Sequence, residues 1–174
     1  DALIAVHDHP GPGGKDRIGA VLARMNLPSV VDRDSLVASV AWRRGRPIRL
    51  APVPHRLIPS NHYGMWLARV SDDVIVYTDD TSDVHATHIV CHEIAHMELG
   101  HDHDAIGDTT LDADRLRGLE PVVGSSAVLG AFGRSNYSSE QEYDAELLAT
   151  HIMSRVSRRT ANVDERTGRI LGSF

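Results

Sequence analysis

His92-Glu93-Ile94-Ala95-His96 is the stretch whose residue types and spacing could do chemistry. Residues four apart on a helix share a face, so two imidazoles there could hold one metal ion. Glu93 lies about 100° around the helix from His92. It is badly placed to ligate the same ion but can reach a water bound to it. Two nitrogen ligands, a carboxylate base and an open coordination position make the arrangement of a zinc hydrolase. The competing reading is a polar surface helix with unrelated histidines, and the surrounding chain has to decide.

A catalytic zinc takes three protein ligands and a water. Two places offer the third ligand. His101 and His103 follow the helix, as in the zinc hydrolases with His-Glu-x-x-His-x-x-Gly-x-x-His. That pattern needs glycine where Leu99 stands and histidine where Asp102 stands, so it is excluded. The other place is Glu142-Tyr143-Asp144-Ala145-Glu146, with two carboxylates four apart on one helical face. Glu142 could coordinate the ion, and Glu146 could accept a hydrogen bond from the free ring nitrogen of a ligand histidine. The same residues also fit a charged solvent face with Ala145 and Leu148 turned inward.

Several elements must position these groups. Ile18, Val21, Leu22 and Met25 predict a helix from Asp16 to Met25. A second begins near Asp32 or Asp34, carries Leu36, Val37, Val40 and Ala41 inward, places Arg43 and Arg44 in its last turn, and ends at Gly45. Ile48–Val53, Met65–Val70 and Val74–Tyr77 read as strands, the last two forming a hairpin across Asp72-Asp73. Thr81-Ser82-Asp83 caps the motif helix, which Gly100 ends. A later helix starts at Ser138–Glu142 with a capping box, either Ser138 with Gln141 or Ser139 with Glu142, and runs to about Ser157. The remainder reads as frayed. Between the two motif helices, residues 101–137 read as one long loop with at most a helical turn near Asp112 to Leu116.

The expected fold is therefore α+β, zincin-like, with a small twisted sheet of about three strands against the motif helix and a second ligand-bearing helix. Residues 1–15, with His7, His9 and a Pro/Gly run, read as a flexible tail, and 16–174 as a single domain. The 174-residue chain is 41% apolar, with no run long enough to span a membrane. Its net charge of −6 argues against nucleic acid as the main ligand. Residues 1–60 hold 9 Lys+Arg against 5 Asp+Glu, and residues 61–174 hold 9 against 19, so the acidic excess surrounds the histidine motif. The single cysteine, Cys91, reads as a buried core residue, and its solitude favours a reducing, cytoplasmic setting. No basic-then-apolar segment opens the chain, so no signal peptide is expected.

His92–His101, followed by Glu142-Tyr143-Asp144-Ala145-Glu146-Leu147-Leu148-Ala149 some forty residues on, resembles the ImmA/IrrE family of metallopeptidases. That family pairs a His-Glu-hydrophobic-Ala/Gly-His helix ending in Leu-Gly-His with a later Glu-x-Glu-Ala-Asn-type helix, and has a small sheet before the motif. The likeness spans roughly residues 34–153. It implies His92, His96 and Glu142 as ligands of one Zn²⁺ and Glu93 as catalytic base. This chain departs at Asp144, where Glu is usual, and at Glu146, where Asn or Asp is usual.

The resemblance implies an intracellular bacterial or phage protease that cuts a protein or peptide, typically a transcriptional regulator such as a repressor or an antitoxin. A toxin-like protease, and a non-catalytic zinc module that sequesters a regulator, are the rival readings. An extended substrate is expected to pair with the Met65–Val70 strand as a sheet edge. His103, Tyr137, Tyr143 and His151 are the candidate oxyanion donors. His85 and His88 share the motif's side of the helix and read as satisfied core or surface histidines, with a place for one of them at the border of the cleft as the alternative. His101 reads as a helix-terminal residue on the last carbonyls in preference to a site role.

Overall fold

The computed structural model describes residues 14–29, 31–60, 62–101, 113–124, 128–132 and 137–171. His7, His9 and His103 fall outside these ranges. Five helices and four strands are present among the described residues: α1 (Gly14–Met25), α2 (Arg33–Arg44), β1 (Ile48–Val53), β2 (Gly64–Arg69), β3 (Asp73–Thr78), α3 (Asp83–Leu99), α4 (Ala113–Val123), β4 (Val128–Phe132) and α5 (Ser139–Leu171). A 3-10 turn at His55–Leu57 follows β1. The class is α+β, as expected.

The strands form one mixed sheet in the order β1-β3-β2-β4. The β2–β3 hairpin is antiparallel, with Trp66 opposite Ile75, while β1 runs parallel to β3. Successive side chains leave opposite faces of a strand. Accordingly Leu50, Trp66, Ile75 and Tyr77 enter a large core shared with α1, α2, α3 and α5. Val53, Met65, Leu67, Val74 and Val76 enter a smaller core under α4. Both faces of the sheet are thus covered.

Several expectations are corrected here. The sheet has four strands, because residues 101–137 contain α4 and β4 in place of a single loop. Leu116, Leu119 and Val123 give α4 an inward stripe, although Gly118 and Pro121 lie within it and weaken the helical signal. β4 pairs with β2 as an edge strand. The Met65–Val70 segment is consequently interior, bonded on both sides, and the free edges belong to β1 and β4. The helices differ at their ends. α1 begins at Gly14, so Gly14 and Lys15 belong to it and not to a tail. α5 runs to Leu171, well past Ser157, with no proline to interrupt it.

The motif helix is held at its C-terminal end by arginines from the first two helices. Arg24 donates to the Glu98 carbonyl at 2.6 Å, Arg44 to the Met97 carbonyl at 3.3 Å, and Arg43 to the Glu98 carboxylate at 2.8 Å. Cations there satisfy orphan carbonyls and the negative end of the helix dipole. Arg43 and Arg44, expected to serve their own helix, therefore serve α3. At the other end, Ser82 accepts from the His85 N–H as N-cap. No described helix is long and apolar enough to cross a membrane.

Candidate metal centre

α3 is buried on most of its circumference, so its polar residues face either protein or a cleft. Ile94, Val90 and Met97 enter the core, and Cys91 is fully buried there, as expected. α5 packs along α3. Its start decides which carboxylate faces the histidines. Ser138 and Gln141 form the reciprocal cap, with Gln141 N–H donating to Ser138 Oγ at 3.2 Å and Ser138 N–H to Gln141 Oε1 at 2.9 Å. The alternative box, Ser139 with Glu142, is not the one formed. Glu142 is thereby left to turn toward α3.

There it completes a triangle. His92 Nε2 and His96 Nε2 lie 3.1 Å apart. Glu142 places Oε1 3.2 Å from His96 Nε2 and Oε2 3.7 Å from His92 Nε2. His92, His96 and Glu142 are the one group of three or more possible ligands among the described residues whose donor atoms converge in this way. Around a tetrahedral zinc with bonds of about 2.1 Å, ligand atoms sit about 3.4 Å apart. The 3.2 and 3.7 Å contacts come from different oxygens of Glu142; with one ligand atom from each residue, the three lie within 4.8 Å of one another, so the set could hold a single divalent ion. Burial, opposed by Glu142, lowers the His96 pKa, and burial with the adjacent His96 lowers that of His92. Both imidazoles are thereby favoured in the neutral form that ligates metal.

Each histidine of the cluster has a partner near its other nitrogen. His92 Nδ1 lies 3.3 Å from Glu146 Oε2, the contact expected of Glu146. His96 Nδ1 lies 2.9 Å from His101 Nδ1. Gly100 adopts the left-handed conformation, φ 71°, and the His101 N–H returns to the His96 carbonyl. That reversal folds the His101 ring against His96, where it is placed to orient the His96 ring rather than only to cap carbonyls. Burial, then His96 and Arg17, press the His101 pKa down to about 4. A neutral His101 with a lone pair on Nδ1 can accept a hydrogen bond from His96 Nδ1–H, which would leave the His96 Nε2 lone pair free for an ion. Tyr137 stacks on the His96 ring at 3.7 Å between centroids and walls it from the side.

Glu93 is 5% exposed, and its Oε2 has no hydrogen-bond partner among the described residues. Burial first, and the Glu142 charge second, push its pKa up to about 8. A buried acid with an unmatched oxygen beside a metal-sized donor set fits the role of a base toward water. A cation at the triangle would offset Glu142 and favour ionised Glu93.

The centre opens into a cleft of about 650 Å³, lined among others by Tyr63, Gly64, His85, His88, Tyr143 and Glu146. His85 and His88 both border it, where the sequence had left room for one. Gly64 lets β2 approach α3: a Cβ there would lie 2.3 Å from Ile89 Cγ2 and 3.2 Å from the Val76 carbonyl oxygen. Of the candidate oxyanion donors, Tyr137 and Tyr143 line the cleft. His151 is exposed on α5 and is not part of that lining. The sequence had pointed to the ligand triangle, Glu93 and Glu146. It had missed the inward fold of His101, for which the Leu-Gly-His ending was the available signal.

Compared with protein families, curated proteins and solved structures, the chain matches none.

Proposed function

We propose that the chain is a zinc-dependent metallo-endopeptidase with a zincin-like site of the ImmA/IrrE type. The observation that carries this reading is the convergence of His92, His96 and Glu142 on one point beside the buried Glu93. Binding alone would need only the three ligands; the fourth residue adds a base.

His92 and His96 would offer Nε2 and Glu142 a carboxylate oxygen to the ion. When bound, zinc supplies Lewis acidity, which makes water acidic enough to ionise near neutral pH and polarises a carbonyl. Glu93 takes the proton of the attacking water, holds it in its buried site, and passes it to the amine as the carbon–nitrogen bond breaks. Of the oxyanion donors expected from the sequence, Tyr137 and Tyr143 are the two that line the cleft. An extended substrate would add to the sheet at β4, the edge next to β2, in place of the interior Met65–Val70 segment. The substrate class is a protein or peptide. The motif resemblance favours a transcriptional regulator, cut in the cytoplasm.

The test is cleavage of a library of unstructured peptides by zinc-loaded protein, wild type beside Glu93→Gln. Cleavage by the wild type, with zinc retained and turnover lost in Glu93→Gln, supports the reading. Equal turnover by both proteins removes Glu93 from the chemistry. Zinc binding without cleavage by either would leave a sequestering module.

A further inference from the structure

We propose that His88 is a positioning residue for the metal centre, acting through Glu146 on the ring of His92. α3 presents His88, His92 and His96 at successive turns, and α5 presents Glu142 and Glu146 in the same way. The packed helices interleave them as a ladder. Glu142 lies between His96 and His92, at 3.2 and 3.7 Å. Glu146 lies between His92 Nδ1 and His88 Nε2, at 3.3 and 3.2 Å.

The chemistry of the ladder runs in one direction. His92 Nε2 faces His96 and Glu142, so it must keep its lone pair free to ligate. The ring proton then belongs on Nδ1, 3.3 Å from Glu146 Oε2, which is placed to accept it. A carboxylate held by one bond is a poor anchor when water competes for it, and the Glu146 side chain is 54% exposed. His88 removes that freedom. Its Nε2 lies 3.2 Å from the other oxygen, Oε1, so that with its proton on Nε2 it would donate there and fix the plane of the carboxylate. His88 touches no ligand atom of the triangle, and its effect on the ion passes wholly through Glu146.

The inference rests on the metal-site reading, and its test separates the two. Zinc affinity of the full chain is measured by competition with a chromophoric chelator, without any turnover assay. Glu146→Ala is expected to weaken zinc about 10–100-fold, the range for partners of ligand histidines. His88→Ala, one step further out, is expected to weaken it less, about 3–10-fold, below the range for direct partners of ligand histidines. His88→Gln, whose amide can replace the Nε2–H donor, restores most of that loss. In the Glu146→Ala background, His88→Ala changes nothing further. No loss in His88→Ala overturns the proposal, as does an equal loss in both backgrounds. A second zinc per chain that disappears in His88→Ala also overturns it, because His88 would then be a ligand itself. If the wild type takes up no zinc, the metal reading fails, and nitrogen-15 NMR of the His92 ring in the metal-free chain decides. An Nδ1-protonated ring in the wild type that becomes mixed in His88→Ala supports the ladder; the same tautomer in both proteins overturns it.

Discussion

Replacing Glu93 by glutamine should stabilise the metal-free protein, and more so as the pH rises. Burial and the neighbouring Glu142 push the Glu93 pKa from an ordinary 4.5 to about 8. In the unfolded chain the group ionises at its ordinary value. Its contribution to stability is therefore complete below about pH 4.5, declines as the pH rises, and is gone above about pH 8. Each pH unit in that window costs about 1.36 kcal/mol. Between pH 5.5 and 8.5 the wild type should thus lose roughly 3 kcal/mol that Glu93→Gln keeps. The other titrating groups are common to both proteins, so the difference between them isolates Glu93. The assay is urea unfolding with chelator present, at several pH values, for both proteins. Curves that stay parallel from pH 5.5 to 8.5 would refute the reasoning, because Glu93 would then be ionised as readily in the fold as outside it.

Three further outcomes follow from the packing. Gly64→Ala puts a Cβ 2.3 Å from Ile89 Cγ2; it should cost about 1–3 kcal/mol in unfolding, part of it recovered by Ile89→Ala in the same chain, and an unchanged midpoint would contradict the close approach of β2 to α3. Asp73 is 1% exposed and holds Arg44 and Arg46, both at 3.3 Å, and Trp66 Nε1 at 3.1 Å; Asp73→Ala should destabilise by about 3 kcal/mol by leaving these donors without their acceptor, measured by urea unfolding, and a loss under about 0.5 kcal/mol would make the network ornamental. His101→Ala should weaken zinc about 10–100-fold in a chelator competition, whereas full affinity would show that His96 needs no partner on Nδ1.

Much of this centre was legible because helical geometry is local. The spacing of His92 and His96, and of Glu142 and Glu146, determines which side chains share a face before any tertiary contact is known. The capping signals at Asp32, Ser82 and Gly100 were equally local, and the structure carries all three caps. What was not legible depended on distant pairing. β4 is five residues long and contains Gly130, so it has little strand character until β2 lies beside it. Without β4, the Met65–Val70 segment reads as an edge. Arg43 and Arg44 look like residues for the end of their own helix, and only the packing of α2 on α3 sends them to Met97 and Glu98. His101 looks like a terminal cap until the left-handed Gly100 turns it back on His96.

The central claim is that His92, His96 and Glu142 hold one zinc ion. Elemental analysis of the purified full chain tests it most directly, with wild type beside Glu142→Ala and the two histidines intact in both. The account predicts about one zinc per wild-type chain and a loss or marked weakening in the variant. Zinc retained unchanged in Glu142→Ala would contradict it, moving the third ligand away from α5 and removing the ground for the metallopeptidase reading.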